Sequence, residues 1–272
     1  NTLQKSRSRT TPKAVKTMPP EGVLNITLIA PELPQPAAVK TVELLRVPNY
    51  CEGYTIDDNA RALMVSTLLE ELGTEETADL TSRYFAFVWY AFNTETRRFR
   101  NFMSYQRNWL EKNGSDDSHG RTLWALGTVL GRSNTPSLQS MAGWVFEKAL
   151  PAILKTTSPR AWAFALIGID EYLHRFAGDR RVTQTREELA GRLLRLYQKN
   201  RAEEWRWYEE SLTYCNAALP HALLMCGHGM PNNSMTDAAL ESLKWLANLQ
   251  RADTGGGHFV PIGSNGFYRR GG

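Results

Sequence analysis

The sequence predicts an all-α fold on three observations. From residue 57 onward, apolar residues recur at i, i+3, i+4 and i+7 in almost every segment, the spacing of an amphipathic helix. Residues typical of helix starts and glycines typical of helix ends bound these segments. Convincing strand alternation is absent apart from short pieces such as VLNITLIA.

Eight helices are predicted. Their bounds are 57–73, 75–93, 117–132, 135–156, 159–178, 182–200, 208–228 and 233–251. The start signals are Asp57, Asp117, Thr135 with Pro136, Ser158 with Pro159, and Asn233 or Ser234, and the stop signals are Gly73, Gly178 and Gly227–Gly229. Pro220 lies inside the seventh predicted helix, where we expect it to kink or interrupt the helix.

The predicted helices fall into pairs joined by longer loops at 94–116, 201–207 and 252–272. Repeated αα-hairpins predict a solenoid or a closed α/α toroid. The loops are rich in Trp, Tyr, Arg, Asn and Gly, whereas a TPR or HEAT array has shorter, more regular loops. The sequence therefore favours an α/α-toroid domain over 36–272, with the inner helices' N-termini and the long loops at one rim.

Residues 1–35 are predicted to form a basic segment that is disordered or extended. Residues 1–20 carry five basic residues and no acid, while the whole chain has a net charge of only +4. This Ser-, Thr- and Pro-rich composition favours a solvated linker, and nucleic-acid binding is not expected because no basic-aromatic pattern follows. The basic residues are Lys5, Arg7, Arg9, Lys13 and Lys16.

The sequence predicts no membrane association and a cytoplasmic location. No run approaches the roughly 20 apolar residues of a membrane span, and no apolar stretch follows the basic residues as in a signal peptide. Cys51, Cys215 and Cys226 form no CxxC motif, which suggests a reducing compartment or buried thiols. The chain begins with Asn1 and not with Met, as in a fragment or a processed form.

The stretch GYTIDDNARAL places two adjacent carboxylates at the start of the first predicted helix. In a structural interpretation, Asp57 caps the helix, Asp58 favours its positive end, and Arg61 pairs with either acid. This interpretation accounts well for one aspartate but leaves the need for the second, and for the flanking Tyr50, Tyr54 and Asn59, unexplained. A functional site therefore remains an equal alternative.

The stretch NGSDDSHGRTLWALG clusters four polar side chains at the third predicted helix: Asp116, Asp117, His119 and Arg121. A cap needs one acid, whereas two acids with His and Arg suit a site that handles protons. Asp-Asp-x-His alone supplies no set of metal ligands with a known spacing. No metal and no cofactor are therefore predicted.

The stretch EEWRWYEESLTYCNAALPHAL brings aromatic residues next to acids at another predicted helix start. Trp205, Trp207 and Tyr208 precede Glu209 and Glu210. Indole rings stack on the apolar faces of sugar rings, while carboxylates bind the hydroxyls. The alternative is a buried tryptophan pair beside two exposed glutamates, and both interpretations remain open.

Three predicted hairpins begin with similar sequences: DDNARAL, DDSHGRTL and CNAALP. The third of these sequences keeps Asn216 but has Cys215 where Asp58 aligns and Ala218 where Arg61 aligns. A fourth helix start, SPRAWAFALIG, adds Arg160 and Trp162. Similar units thus present polar groups at equivalent places, and one unit has lost its charges.

The final stretch, GGGHFVPIGSNGFYRRGG, is glycine-rich but has no P-loop lysine and no preceding strand. We interpret it as a loop at the functional face, contributing Asn265 and Tyr268. Three histidines are interpreted as core or surface residues and not as ligands: His174, His221 and His228.

The five stretches GYTIDDNARAL, DDSHGRTLWALG, PRAWAFALIG, WYEESLTYCNAALPHALL and PIGSNGFYRRGG resemble a bacterial family of α/α-toroid, six-hairpin glycosidase-like domains. Such domains often occur fused to, or encoded beside, glycosyltransferases and mannoside-processing enzymes. The likeness runs in order over about residues 45–272. It implies an oligosaccharide substrate or ligand and association with a glycosyltransferase.

Two departures from the family pattern matter. The third family motif resembles T-Y-D-N-A-R-L-P, whereas Cys215 and Ala218 replace its acid and its arginine here. If that acid is catalytic in the family, weak, altered or absent activity is implied. The family also continues with further helices beyond YRRGG, so the predicted toroid lacks about two of six hairpins at its C-terminal end.

The leading prediction is a glycoside hydrolase, inverting by resemblance, with two carboxyls about 6.5–9.5 Å apart. We expect the pair to combine one of Asp57 and Asp58 with one of Asp117 and Glu209. The predicted substrate-binding residues are Tyr54, Asn59, Arg61, Asp116, His119, Arg121, Arg160, Trp162, Trp207, Tyr214, Asn216, Asn265 and Tyr268.

Three alternatives remain open. The first is a non-catalytic carbohydrate-binding or accessory module of a glycosyltransferase system, favoured by Cys215 and Ala218. The second is an epimerase or lyase with His119 or Tyr214 as the base. The third is a helical protein–protein scaffold, which predicts that the acidic helix starts do not converge on one cavity.

Overall fold

The computed structural model describes residues 53–73, 77–252, 257–263 and 267–271. The N-terminal segment, Cys51 and Asn265 lie outside this part of the chain. Within it, the predicted all-α fold is confirmed. The helices are α1 (Ile56–Glu71), α2 (Ala78–Ala91), α3 (Asp116–Arg132), α4 (Pro136–Ile153), α5 (Pro159–Arg175), α6 (Arg180–Asn200), α7 (Ala218–Gly229) and α8 (Asn233–Leu249).

Short antiparallel strand pairs fasten the loops at the helix ends. Each strand has two residues: β1 (Tyr54–Thr55) pairs with β4 (Phe102–Met103), β2 (Phe92–Asn93) with β3 (Arg98–Phe99), and β5 (Ser211–Leu212) with β6 (Tyr268–Arg269). The pairs β1–β4 and β5–β6 hold chain segments that lead into α1 and α7.

The helices form four consecutive αα-hairpins. In each hairpin, an odd-numbered helix packs against the even-numbered helix that follows it. The four odd-numbered helices also pack one against the next, which makes α1, α3, α5 and α7 the inner row. This arrangement is compatible with the α/α toroid predicted from the sequence.

Glycines set the distance and register between α3 and α5. A Cβ atom at Gly127 would overlap the carbonyl oxygen of Gly168, and one at Gly120 would overlap the backbone of Ala161. The two backbones therefore approach without intervening side chains, as small residues allow. The two helices run side by side in the same direction, and their N-termini lie at the same end.

Hydroxyl and amide side chains upstream of the predicted positions cap several helices. Thr55 accepts the Asp58 N–H of α1 at 3.1 Å, and Ser115 accepts the Ser118 N–H of α3 at 3.0 Å. The predicted start signals Asp57 and Asp117 are therefore not caps, since a hydroxyl three residues before the amide already fills that role. For α8 the cap is Asn232, one residue before the predicted start.

The seventh helix begins ten residues later than predicted, at Ala218. The loop before α7 has an apolar spacing that resembles that of a helix, because its residues Trp207, Tyr208 and Leu212 are all fully buried. Pro220 consequently lies in the first turn of α7, where its missing N–H leaves no intrahelical hydrogen bond unmade. The predicted kink at Pro220 was therefore wrong. None of the helices in the described ranges is long and apolar enough to cross a membrane.

Candidate functional site

The two aspartates at the start of α1 have different surroundings. Asp57 lies 2.7 Å from Arg61 and also contacts the Arg121 guanidinium. Asp58 accepts the Thr55 hydroxyl at 2.6 Å, and its side chain is only 13% exposed. Burial raises the pKa of Asp58 above its ordinary value, and the negative charge of Asp57 adds to the effect, against the Thr55 hydrogen bond and the two arginines. Asp58 is therefore more easily protonated than an ordinary aspartate.

The side chain of Asp117, at the start of α3, is bound by two hydroxyls. Ser158, the N-cap of α5, donates to Asp117 at 2.5 Å, and Tyr214 donates to its other oxygen at 2.5 Å. Burial raises the pKa of Tyr214 well above its ordinary value, and the bond to Asp117 acts in the same direction. Tyr214 therefore remains a protonated donor, and Asp117 is an acceptor at the boundary of α3, α5 and the loop before α7.

Asp116 and His119, also in the first turns of α3, stabilise the fold around the start of this helix. Asp116 accepts Arg98 at 2.8 Å and the Thr157 N–H at 3.1 Å. Burial alone would raise the pKa of Asp116, but these bonds and the charge of Arg98 lower it. His119 is fully buried beside the Phe99 ring, and burial, followed by the charge of Arg98, lowers its pKa to about 3. The prediction that His119 binds substrate was wrong, because the neutral ring has no exposed surface.

Arg160 fastens the loop before α7. Its guanidinium donates to the Tyr214 carbonyl oxygen at 2.6 Å, to Glu209 at 2.6 Å and to the Asn216 side-chain oxygen at 3.1 Å. It also lies 4.8 Å from the centre of the Tyr214 ring, and the residue is 4% exposed. A buried guanidinium with three acceptors positions the loop, so substrate contact is not its main role.

The helix starts of α1, α3 and α5 all converge on residues 213–216 of this loop. Arg121 connects Asp57 to the loop, since its guanidinium lies 3.9 Å from the Cys215 sulfur. Asp117 reaches the loop through Tyr214, and Arg160 binds it directly. Cys215 has φ +45, a left-handed conformation that is uncommon for a residue other than glycine. Asp57, Asp117 and Glu209 therefore belong to one connected polar network. Asp58 joins it through Arg61, whose guanidinium lies 2.7 Å from Asp57 and 3.5 Å from Asp58.

A cavity of about 710 Å³ lies beside this network, between α3, α5, α7, α8 and residues 257–263. Its polar wall includes Arg121, Tyr214 and Asn216, and the Trp124 and Phe164 rings stack 6.1 Å apart in the same wall. The Arg121 guanidinium lies 4.0 Å from the centre of the Phe164 ring. Aromatic faces next to guanidinium, amide and hydroxyl groups can bind both faces and edges of a sugar ring.

Trp124 and His221 are among the cavity-wall residues that the sequence prediction missed. Trp124 was not among the predicted site residues, yet Asp117, Arg121 and Trp124 follow the spacing i, i+4, i+7 and share one helix face. That spacing was the signal that could have identified it. His221 was interpreted as a core or surface residue, and the structure exposes it in the cavity wall. Its position depends on the start of α7, which the sequence did not locate.

Three predicted substrate-binding residues are buried in structural roles. Trp207 is fully buried, so its predicted contact with a sugar was wrong. The Asn59 amide donates to the Thr55 carbonyl oxygen at 2.7 Å. Tyr54 is 8% exposed and stacks on Tyr105, with ring centres 6.3 Å apart. Asn59 and Tyr54 thus stabilise the start of α1.

Two further predicted residues lie outside the wall of the 710 Å³ cavity. The Trp162 ring N–H donates to the Thr156 carbonyl oxygen at 3.1 Å, and Arg192 of α6 covers the ring. Tyr268 of β6 stacks on Trp205 with ring centres 6.0 Å apart. Among the described residues, no group of three or more His, Cys, Asp or Glu side chains could hold a metal ion.

Comparison with known proteins gives a likeness of fold. No family model and no curated protein matches this chain. Among solved structures, the chain is similar to a sugar epimerase from a ruminal bacterium, with a TM-score of 0.59 and 9% sequence identity. The match covers 82% of this chain and 67% of the epimerase chain. At this identity the likeness concerns the helical fold alone.

Proposed function

We propose that this protein is a carbohydrate-active enzyme that binds an oligosaccharide at the cavity and hydrolyses a glycosidic bond. The observation that carries the proposal is the polar network beside an aromatic-lined cavity. Asp57 of α1 contacts Arg121, Asp117 of α3 accepts the Tyr214 hydroxyl, and Asp58 lies next to Asp57 at the start of α1. The fold likeness to a sugar epimerase and the resemblance to six-hairpin glycosidase-like domains both support a carbohydrate ligand.

Asp58 suits the role of general acid, because its raised pKa favours the protonated form. Asp117 suits the role of general base, because it already accepts hydrogen bonds from two hydroxyls. Glu209 is less suited, since the buried Arg160 holds it in an ion pair. These environments favour the pair Asp58 and Asp117 among the predicted combinations.

In the proposed reaction, Asp58 gives its proton to the glycosidic oxygen as the bond from that oxygen to the anomeric carbon breaks. Asp117 takes a proton from water while the water oxygen bonds to the anomeric carbon from the opposite face, which inverts the configuration. The products are an alcohol and a hemiacetal. Proton exchange with solvent then returns both carboxyls to their starting states.

The test measures the release of reducing sugar from a panel of oligosaccharides. Asp58→Asn and Asp117→Asn should each lower the rate at least about 100-fold, since each removes one proton-transfer step. Asp237→Asn makes the same chemical change at an exposed position on α8 and should leave the rate unchanged. Wild-type rates in both site variants, with circular dichroism confirming the fold, would contradict this function.

Cys215 favours a second candidate, a non-catalytic binding or accessory module of a glycosyltransferase system. Its thiol lies beside Arg121, in the loop where the corresponding family motif has an acid. This candidate predicts calorimetric binding of an oligosaccharide without release of reducing sugar. Epimerisation is less well supported, because His119 is buried and the raised pKa of Tyr214 makes it a poor base.

A further inference from the structure

We propose that the deeper part of the 710 Å³ cavity is a subsite for an apolar aglycone, an alkyl or aryl group joined to the sugar. The sugar half of this assignment rests on the proposed function. The apolar half rests on the cavity wall itself, which is polar at the helix starts and apolar farther along the helices.

The polar groups lie at the helix starts. Arg121 is in the second turn of α3, and Tyr214 and Asn216 lie in the loop before α7. Ile167 lies eight residues into α5, which is about 12 Å from its start at 1.5 Å per residue. Leu224 of α7 lies at a similar depth and is also in the cavity wall.

The remaining wall is also mostly apolar. Leu243 of α8 completes the apolar end. Besides Thr213 and Cys215 in the loop, the remaining hydrogen-bonding side chains are His221, Gln250 and the indole N–H of Trp124. No carboxylate of the described residues lines the cavity, and its one guanidinium already contacts Asp57. The side wall contains three residues of the segment after α8: Phe259, Pro261 and Ile262.

The separation of polar and apolar residues in the cavity wall determines which part of a ligand can bind where. A sugar ring carries hydroxyls on most of its carbons, and each one buried without a partner lowers the affinity roughly 5- to 150-fold. A methylene moved from water into the same space raises the affinity roughly four-fold. The apolar end therefore favours an apolar group, while the sugar remains at Arg121, Tyr214 and Asn216. The cavity volume lies within the range of sites that enclose a ligand of this size.

The experiment compares methyl and octyl glycosides of glucose, galactose and mannose in both anomers, with 1-octanol as a probe without sugar. Binding is measured by calorimetry below the micelle concentration. For the best-bound sugar, the octyl glycoside should bind about 30-fold more tightly than the methyl glycoside, which corresponds to burial of two or three methylenes.

Two variants test the location of the subsite. Leu224→Asn places an amide in the deep wall, and Phe259→Ser removes a ring that is 69% exposed, so its loss does not disturb the core. Each should reduce the advantage of the octyl glycoside at least about five-fold and leave methyl glycoside binding unchanged. Leu240→Asn, at an exposed position of α8 outside the cavity, is the matched control and should change neither value.

The outcomes separate this inference from the proposed function. Equal binding of octyl and methyl glycosides overturns the aglycone subsite and leaves sugar binding intact. Binding of 1-octanol as tightly as the octyl glycosides supports the apolar subsite and contradicts the sugar-binding function. Failure of all probes to bind, or an octyl advantage that both cavity variants retain, overturns the inference.

Discussion

At the scale of single residues, the site depends on the hydrogen bonds and ion pairs that each buried charged side chain forms. Arg160 is nearly inaccessible to solvent, and its three acceptors belong to the loop before α7. Desolvating a guanidinium is unfavourable unless hydrogen bonds replace its water. The loop and Arg160 are thus mutually dependent, and the loop conformation around Cys215 is maintained by this one side chain together with Asp117.

Replacing Arg160 by Met should destabilise the fold by about 2–4 kcal/mol, because Glu209 and the loop acceptors lose their donor. Urea unfolding monitored by tryptophan fluorescence measures the change. Arg181→Met is the matched control, since Arg181 pairs with Glu147 on the exposed surface and should contribute less than about 1 kcal/mol. Equal effects of the two substitutions would contradict the structural role of Arg160.

His119 predicts a pH dependence of stability. Its pKa is about 3 in the folded protein, against about 6.5 in the unfolded chain. Below pH 6.5 the unfolded chain takes up a proton that the folded protein excludes, so this contribution falls as the pH decreases and is complete above pH 6.5. Relative to a His119→Phe variant, the wild type should lose about 2 kcal/mol of unfolding free energy between pH 7 and pH 5.

Urea titrations of both proteins at pH 7, 6 and 5 measure this difference. Asp58 and Asp116 titrate in both proteins, so their contributions largely cancel in the comparison. Parallel pH profiles for wild type and variant would mean that the folded protein allows His119 to become protonated.

At the scale of helices, the contact between α3 and α5 is set by residues without side chains. Gly127→Ala should destabilise the fold by about 2 kcal/mol or more, because the added methyl group meets the Gly168 backbone and the two helices must separate. Gly143→Ala on α4 is the control, since its Cβ would meet only Leu130 at 3.5 Å. That change should stabilise the helix by up to about 1 kcal/mol.

Thermal and urea unfolding of both alanine variants measure the two effects. If Gly127→Ala were as stable as Gly143→Ala, α3 and α5 would not be in close backbone contact. A loss of oligosaccharide binding in Gly127→Ala would further indicate that the helix register positions Asp117 beside Ser158.

The helices could be predicted from the sequence because an apolar stripe is a local property. The start of α7 could not, because Trp207 and Leu212 are buried by neighbours that are distant in sequence, and their spacing happens to match a helix. The same limit applies to the site. Asp57 and Asp117 stand out by their type and spacing, whereas the burial of His119 and Trp207 depends on packing that the local sequence does not reveal.

At the scale of the whole molecule, the described chain is a row of hairpins in which most contacts join neighbours. Such an array has a stability that varies along its length, since a hairpin at an end has a partner on one side only. The first hairpin of the described chain has this position, since Val65, Leu68 and Leu69 are exposed on α1. α3 and α5 have a neighbour of the inner row on both sides.

Amide hydrogen exchange should therefore be slowest in α3 and α5 and faster in α1 and α8. The proposed site draws on all four hairpins and on the loop before α7, so its integrity requires the contact of α5 with α7 as well as the central pair. Native-state exchange followed by mass spectrometry measures the protection of each helix.

Leu246→Ala, which removes buried contacts in α8, should raise exchange in α7 and α8 while α3 keeps most of its protection. Uniform acceleration along the chain would instead show that the hairpins unfold as one cooperative unit, and the site would then be lost only with the whole fold.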